Sequence, residues 1–218
     1  MSAENEAAIA ELSELRQAEA SGLRQAELSE LRQRVESCAI CQLRLQCAQV
    51  VFGEGPLGGG LMVIGEGPGQ EEDRQGRPFV GRAGKLLDLI LESGGFSRER
   101  NTYVANIVKC RPPENRTPFP DERKACLPYL QEQIRLAGPK IIILLGATAL
   151  QGLIDPAAKI SSCRGKWIEW HDVWVMPTYH PAALLRNPRL KADVWEDVKS
   201  VVDKFRELVD PDHHCEYH

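Results

Sequence analysis

The feature that most constrains the fold is an alternation of short apolar runs with longer amphipathic stretches from residue 61 onward. The apolar runs are predicted strands and cover residues 61–64 (LMVI), 102–108 (TYVANIV), 140–146 (KIIILLG) and 173–177 (VWVMP). Helical periodicity covers residues 84–95, 121–138, 147–154 and 192–209. This alternation predicts an α/β fold with a central, mostly parallel sheet and helices on both faces.

The loops that follow the predicted strands are the expected location of a functional site. With 218 residues the chain is long enough for one substantial core, so we expect a single α/β domain. In open α/β sheets, ligands bind outside the carboxyl ends of the strands. Three long loops begin there, at residues 65–82, 106–117 and 178–189.

The N-terminal segment carries a repeat of eight residues over positions 10–33: AELSELRQ, AEASGLRQ and AELSELRQ. Its residues are strong helix formers, but a period of eight drifts by about 80° per repeat on an α-helix. The leucines therefore spiral and form no heptad seam, namely Leu12, Leu15, Leu23, Leu28 and Leu31. We expect residues 1–34 to be a solvated helical or disordered extension, with a partner-docking or oligomerising arm as the alternative. One domain over 35–209 and a flexible tail over 210–218 follow.

The charge of the chain is unevenly distributed. Residues 1–37 carry eight acidic side chains and four arginines, which accounts for the whole net charge of −4. The composition is therefore compatible with a basic face for nucleic acid. The first residues, MSAENEAAIAEL, lack the basic start and apolar stretch of a secretory signal, and no apolar run approaches the roughly 20 residues that span a bilayer. We expect a cytoplasmic protein with no membrane partner.

Seven cysteines in a chain without a secretory signal favour a metal or cluster site over disulfide bonds. Cys38 and Cys41 form a CxxC pair, Cys110 follows the second predicted strand, and Cys126 lies 16 positions further on in a predicted helix. On spacing alone, Zn²⁺, a [4Fe–4S] cluster and no metal all remain open. The remaining cysteines, Cys47, Cys163 and Cys215, are expected to be ordinary packed residues or exposed thiols. Cys215 lies within a terminal tract, DHHCEYH, that resembles a metal-binding segment.

The three loops carry long motifs. GEGPGQEEDRQGRPFVGRAG (65–84) opens like a phosphate-binding turn but lacks the Lys-Ser/Thr of a P-loop. NIVKCRPPENRTP (106–118) places an Asn at a strand end just before a cysteine, and HPAALLRNP (180–188) begins with a His before a proline. Together with RGKW (164–167), these motifs resemble the iron–sulfur (family 4) uracil-DNA glycosylases over residues 35–205.

The resemblance implies a fold, a cofactor and a reaction. The fold is a three-layer α/β/α sandwich, and the cofactor is a [4Fe–4S] cluster held by Cys38, Cys41, Cys110 and Cys126. The reaction is hydrolysis of the N-glycosidic bond of uracil in DNA, which releases free uracil and leaves an abasic site. We therefore expect a monomeric base-excision repair enzyme whose partner is uracil-containing DNA, single- or double-stranded.

The resemblance also implies roles for residues of the three loops. Phe79 matches the residue that stacks on the flipped uracil, and Asn106 matches the residue that distinguishes uracil from cytosine. His180 matches the donor that stabilises negative charge on the departing base. Gly67 is expected to bring backbone N–H groups close to the base. Glu66 and Glu72 are the carboxylates near the pocket, and which of them activates water stays open.

DNA contacts are implied by a third set of matches. Leu184, Leu185 and Arg186 match the loop that family members insert into the vacated base stack. Scattered basic side chains are candidate phosphate ligands, namely Arg82, Lys85, Arg164 and Lys166.

Two other classes of protein compete with the glycosylase hypothesis. One relative of the family becomes covalently trapped on uracil through a His in an inserted basic loop after the second strand. Here CRPPENRTPFPDE runs directly into the next helix without an insertion or a His. An iron–sulfur electron carrier or nucleotide sensor is the other alternative, and it would not need Phe79, Asn106 and His180 together.

Overall fold

A computed structural model of the chain describes the backbone of residues 3–217 and the side chains of residues 20–217. Its strands are β1 (Leu61–Gly65), β2 (Thr102–Asn106), β3 (Ile141–Leu145), β4 (Ile168–Trp170) and β5 (Val173–Thr178). They form one sheet in the order β2-β1-β3-β5-β4. All neighbours are parallel except β4, which runs antiparallel to β5 at one edge. The predicted mostly parallel sheet is confirmed, whereas the three-residue β4 was not predicted.

The helices of the described chain fill the connections. They are α1 (Ala3–Glu36), α2 (Gln70–Gln75), α3 (Arg82–Ser93), α4 (Pro120–Ala137), α5 (Ala147–Leu153), α6 (Ile160–Cys163), α7 (Pro181–Arg186) and α8 (Leu190–Leu208). Two short 3-10 turns lie at Gln42–Leu45 and Pro113–Asn115. The four predicted helices correspond to α3, α4, α5 and α8. No helix within residues 3–217 is both long and apolar enough to cross a membrane.

Each face of the sheet carries its own layer of helices. Met62 and Ile64 of β1 pack in one cluster with residues of α1, α4 and α5, whereas Leu61 and Val63 pack in another with residues of α3, α7 and α8. Because both faces are covered, β1 and β3 are buried at every position, as expected for parallel strands between two helical layers. The three-layer α/β/α architecture is therefore confirmed.

The last turns of α1 belong to the core. Leu28, Leu31 and Val35 follow one another at spacings of three and four residues, so they share one helix face, and all three are buried. An ion pair between Arg34 and Glu132 at 2.6 Å joins the same stretch to α4. The expectation of a solvated extension over residues 1–34 is therefore wrong from Leu28 onward. The eight-residue period was applied to all five leucines at once, although Leu28 and Leu31 share a helix face with Val35. The side chains of Leu12 and Leu15 lie outside the described part of the chain.

The C-terminal segment is also packed, contrary to the expected flexible tail over 210–218. His213 and Cys215 are buried, and the His213 ring stacks on Phe96 with centroids 4.6 Å apart. His213 Nε2 lies 2.8 Å from the carbonyl oxygen of Gly94, and Cys215 Sγ donates to the carbonyl oxygen of Ser93 at 3.1 Å. These contacts tie the segment to the end of α3.

Candidate active site at the carboxyl ends of the strands

A cavity of about 210 Å³ lies where β1, β2 and β5 end. The three predicted loops meet there because parallel strands present their carboxyl ends on one edge, and Gly65 and Asn106 are register partners. The loops and the turn after β2 supply the lining: Glu66, Gly67, Pro68, Gly69, Glu72, Phe79, Ala83, Asn106, Pro112, Asn115, Arg116, His180 and Ala182. The structure thus brings together all of the predicted catalytic and base-binding residues.

Phe79 presents its ring to the cavity from a strained backbone. Its φ is +52°, in the left-handed region that a bulky side chain avoids, at a cost of order 1–3 kcal/mol. The ring is 6% exposed and stacks against His180, with centroids 5.7 Å apart and planes inclined by 30°. A ring held this way forms a flat apolar wall on which a planar base can stack.

Gly65, at the end of β1, makes room for this wall. A Cβ at this position would lie 2.3 Å from Phe79 Cζ and 2.6 Å from Asn106 Oδ1. The absence of a side chain therefore allows the ring and the carboxamide to approach the same strand end. The sequence analysis missed this residue, although a glycine directly after an apolar strand is a signal for close approach.

Asn106 carries an unsatisfied buried acceptor. The residue is 2% exposed, and its Oδ1 has no hydrogen-bond partner among the described residues. Its backbone is fixed by Lys109, whose Nζ donates to the Asn106 carbonyl oxygen at 2.8 Å. An unpaired buried acceptor costs about 1–3 kcal/mol, so a donor on a bound ligand would relieve it.

The surroundings of His180 define its protonation. The residue caps the N-terminus of α7, and its Nδ1 accepts a hydrogen bond from the Ala182 backbone N–H at 3.1 Å. Burial and, to a smaller extent, the charge of Arg186 lower the pKa of the imidazole to about 4, against the opposing effect of Glu72. The ring is therefore neutral at physiological pH, and because Nδ1 accepts, the proton resides on Nε2.

Glu66 and Glu72 occupy different environments. The carboxylate of Glu66 lines the cavity, and its Oε2 accepts a hydrogen bond from the hydroxyl of Thr148 on α5. Glu72 instead holds backbone: Oε1 accepts from Val80 N–H at 2.9 Å and Gly81 N–H at 2.8 Å. Its Oε2 accepts from Gly69 N–H at 3.1 Å.

The choice between Glu66 and Glu72 as the water-activating group was left open by the sequence, and the structure gives Glu72 little capacity for that role. Three backbone N–H groups occupy three of the roughly four lone-pair sites of its carboxylate, and a general base needs a free lone pair toward water. Glu72 is a positioning residue for the loop that carries Phe79. Gly67 lines the cavity, and a Cβ there would lie 2.7 Å from Val108 Cγ2, so a larger residue would displace the second loop. Its predicted backbone contact with the base stays a prediction.

The turn within the second predicted loop contributes a part of the wall, through residues that were not singled out from the sequence. Asn115 and Arg116 line the cavity, and Asn115 has a φ of +56°. Arg116 donates to both carboxylate oxygens of the buried Glu122, at 2.8 and 2.7 Å, and these hydrogen bonds lower the pKa of Glu122. The same guanidinium lies 3.7 Å from the centroid of the exposed Phe119 ring.

Five of the seven predicted DNA contacts are exposed, and they are Arg82, Lys85, Lys166, Leu185 and Arg186. Of the other two, Leu184 is contradicted by its burial, whereas the phosphate contact of Arg164 stays a prediction. Leu184 is 1% exposed and packs in the core beneath α7, because successive residues of a helix point in different directions. Arg164 is held by Asp197 and donates to the Asp193 carbonyl oxygen at 2.6 Å, so its charge is already paired.

The four predicted cluster ligands line one small apolar cavity, which shares no lining residue with the site above: Cys38, Cys41, Cys110 and Cys126. Burial raises the pKa of the Cys110 thiol, and the neighbouring thiols of Cys47, Cys126 and Cys41 raise it further. Burial also raises the pKa of Cys126, against the effect of Lys109. Across residues 3–217, no three Cys, His, Asp or Glu side chains are placed to share a single metal ion.

Comparison with known proteins gives a consistent result. A profile of the Uracil DNA glycosylase superfamily matches residues 52–199. The chain is 47% identical over 171 residues to the type-4 uracil-DNA glycosylase of Thermotoga maritima, covering 77% of this chain and 88% of that protein. It is 43% identical over 185 residues to the type-4 enzyme of Sulfurisphaera tokodaii, covering 81% and 82%. With the type-4 enzyme of Saccharolobus solfataricus it shares 44% over 176 residues, covering 77% and 81%.

Proposed function

Because this chain belongs to the uracil-DNA glycosylase superfamily, we propose that it is a DNA-repair enzyme that hydrolyses the N-glycosidic bond of uracil in DNA. The products are free uracil and an abasic site. The single observation that carries this function within the site is the unpaired Oδ1 of Asn106, buried beside a stacking ring and a neutral His donor.

Asn106 supplies the recognition of uracil. Uracil presents an N3–H donor next to an O4 acceptor, whereas cytosine presents an acceptor next to an amino donor. The unpaired Oδ1 accepts from N3–H, and the Nδ2 group of the same carboxamide donates to O4. Cytosine would leave both buried groups unpaired, which is the kind of mismatch that discriminates strongly.

Phe79 and His180 act on the bound base in different ways. The target nucleotide must leave the stack to reach the cavity, and the Phe79 ring replaces part of its lost stacking. Cleavage leaves negative charge on the base, mostly at O2 and O4. The Nε2–H of neutral His180 donates to the oxygen where this charge develops, so it stabilises the transition state more than the ground state.

Glu66 is the proposed water-activating group. Glu66 lines the cavity and, among the described contacts, accepts one hydrogen bond, from Thr148 to its Oε2. Unlike Glu72, it is not occupied by a network of backbone N–H groups. A carboxylate anchored at one oxygen keeps the other available to accept a proton from water.

A [4Fe–4S] cluster is the proposed cofactor, held by Cys38, Cys41, Cys110 and Cys126. Four thiols line one cavity, and this number matches a cubane, which takes one thiolate at each of its four irons. When bound, the cluster supplies structural cross-linking; the pocket residues described above need no electron.

The proposed substrate is single- or double-stranded DNA, and the proposed active form is a monomer. Exposed Leu185 and Arg186 lie at the end of α7, whose first residues line the cavity, and they are proposed to fill the vacated stack and bind phosphate.

Incubation with a uracil-containing oligonucleotide, followed by alkali, tests this function. Strand breaks after alkali identify a glycosylase, a covalent gel shift identifies a trapping protein, and unchanged DNA identifies a sensor or carrier. An oligonucleotide with cytosine at the same position is the specificity control. The Asn106→Ala variant should lose most of the activity, and a fully active variant would place the pocket elsewhere.

A further inference from the structure

The loop that carries Phe79 is held by two charged side chains from opposite sides. The left-handed φ of Phe79 is not one that its side chain favours, so contacts elsewhere must stabilise it. Glu72 binds the N–H groups of Val80 and Gly81, as described above. Arg98, in the connection between α3 and β2, binds the carbonyl groups of the same loop.

Arg98 contacts the two peptide planes that flank the Phe79 Cα. Its Nη1 donates to the Pro78 carbonyl oxygen at 2.6 Å, and its Nη2 donates to the Phe79 carbonyl oxygen at 2.7 Å. The φ and ψ angles of Phe79 set the relative orientation of these two planes. A planar guanidinium that binds both carbonyls therefore fixes the backbone of this one residue.

The charge of Arg98 is compensated within the protein. The side chain is 10% exposed, its Nε donates to Asp88 at 2.7 Å, and its Nη1 also donates to Glu54 at 3.1 Å. All of the hydrogen-bond partners described for Arg98 are thus within the protein, and the guanidinium does not line the cavity that holds Asn106 and His180. Its effect on a bound base must pass through the Phe79 loop.

We propose that Arg98 is a positioning residue for base stacking: it holds Phe79 in the left-handed conformation that places the ring against the flipped uracil. This proposal rests on the proposed function, since it names what a bound base contacts. Neither the loop motifs nor the resemblance includes Arg98.

Arg77 provides a matched control. It also pairs with Glu54, through contacts of 2.8 and 3.1 Å, yet its side chain is 61% exposed and its described hydrogen bonds reach only that carboxylate. Loss of Arg77 therefore removes a positive charge and a Glu54 partner without removing the contacts to the Pro78 and Phe79 carbonyls.

Single-turnover excision measured over a range of enzyme concentrations separates binding from chemistry. Arg98→Met should raise the half-saturating concentration by roughly tenfold, within the range that loss of one base–aromatic stack produces, and change the limiting rate much less. Arg77→Met should stay within about twofold of the wild-type protein in both parameters, as expected for an exposed charge. A purely structural role for Arg98 would instead lower the melting temperature and active fraction at an unchanged half-saturating concentration, and that result would overturn the proposal.

Two further variants keep the test decisive. Arg98→Lys preserves the positive charge next to Asp88 and Glu54 but lacks the planar guanidinium that binds two carbonyl groups at once. It should therefore show an intermediate rise in the half-saturating concentration, even if Arg98→Met does not fold. In a Phe79→Ala background, the Arg98 substitution should add less than about twofold, because its effect passes through the missing ring. Fully additive losses would refute the proposal.

The failure of this proposal and the failure of the proposed function give different results. If the wild-type protein is inactive on uracil-containing DNA, both are removed. If the wild-type protein is active but the Arg98 and Arg77 variants have the same kinetic parameters, only the proposal for Arg98 is removed.

Discussion

Asn106 and His180 present opposite hydrogen-bonding capacities to one cavity. Asn106 offers an unpaired acceptor, whereas His180 offers a neutral Nε2–H donor because its Nδ1 is occupied. At the residue scale, the proposed function would have Asn106 accept from a donor of the ground-state base and His180 donate to charge that develops only during cleavage. Their variants should fail in different kinetic steps.

Substitution of His180 tests this difference. His180→Ala should lower the single-turnover rate by roughly 10²–10³, the effect of removing one oxyanion-type donor, with little change in affinity for uracil-containing DNA. Rapid-quench rates and equilibrium binding measure the two quantities. Because the imidazole also caps α7, thermal unfolding of the variant is the control. Equal losses in rate and affinity would contradict the assigned role.

The pH dependence of the rate tests the charge state of the same ring. Burial lowers the pKa of His180 to about 4, so the imidazole stays neutral from above pH 5 to pH 8. We expect no inflection near pH 6.5, the ordinary value for histidine, in the single-turnover rate. A rate that rises as the pH falls through 6.5 would show that the imidazolium is the active form.

Glu66 and Glu72 are distinguished by comparing a rate with a melting temperature. Glu66→Gln should lower the limiting rate by roughly 10²–10⁴ at a nearly unchanged melting temperature, because it removes a base but leaves the fold intact. Glu72→Gln should lower the melting temperature, since the Gln side chain replaces one of the two acceptor oxygens by an NH2 group and leaves at least one of the three backbone N–H groups without its acceptor. The reverse pattern would assign the base to Glu72.

At the scale of elements, α1 is divided into a packed part and an exposed part. Leu31 is fully buried against α4 and the sheet, whereas Leu23, two turns earlier on the same helix, is 67% exposed. The helix therefore stabilises the domain through its last turns, whereas Leu23 of the middle repeat unit, AEASGLRQ, does not pack on it.

A pair of substitutions on α1 measures this division. Leu31→Ala should lower the free energy of unfolding by about 2–5 kcal/mol, the range for a buried leucine. Leu23→Ala, the matched control, should change it by less than about 0.5 kcal/mol. Urea denaturation gives both values. Equal, small effects would mean that α1 does not pack on the domain in solution.

At the scale of the whole molecule, the four cysteines connect segments that are distant in sequence. Cys38 and Cys41 follow α1, Cys110 follows β2, and Cys126 lies within α4. A cluster at this point would cross-link the N-terminal segment to the sheet and its helical layer. Its contribution would be to the stability of the fold more than to the chemistry of the pocket.

Metal analysis of the purified protein tests this assignment. Anaerobically purified protein should be brown, absorb broadly near about 400 nm and contain about four irons per chain. Cys110→Ser should lower the melting temperature along with the activity. Stoichiometric zinc in the wild-type protein would contradict the cluster.

Local patterns in the sequence were sufficient for the sheet and for the loops that form the cavity. β1 and β3 are unbroken apolar runs followed by glycine, and the motifs that carry Phe79, Asn106 and His180 directly follow strands. Parallel pairing then brings those strand ends to one edge, so sequence position alone predicted their proximity. The three-residue β4 escaped prediction because its run is too short to show a period.

Tertiary structure alone decided which polar groups were free and which were already paired. Arg164 is paired with Asp197, 33 positions away, and Glu72 is occupied by the backbone of residues that follow it by eight and nine positions. Leu184 and Leu185 are identical in type, yet only the second is exposed, because the orientation of α7 on the core separates them. The sequence by itself determined the fold class and the chemistry of the loops, through local patterns of hydrophobicity and turn residues. Which partner a charged side chain binds, and which leucine is buried, depends on contacts between distant segments. These contacts form only when the chain folds.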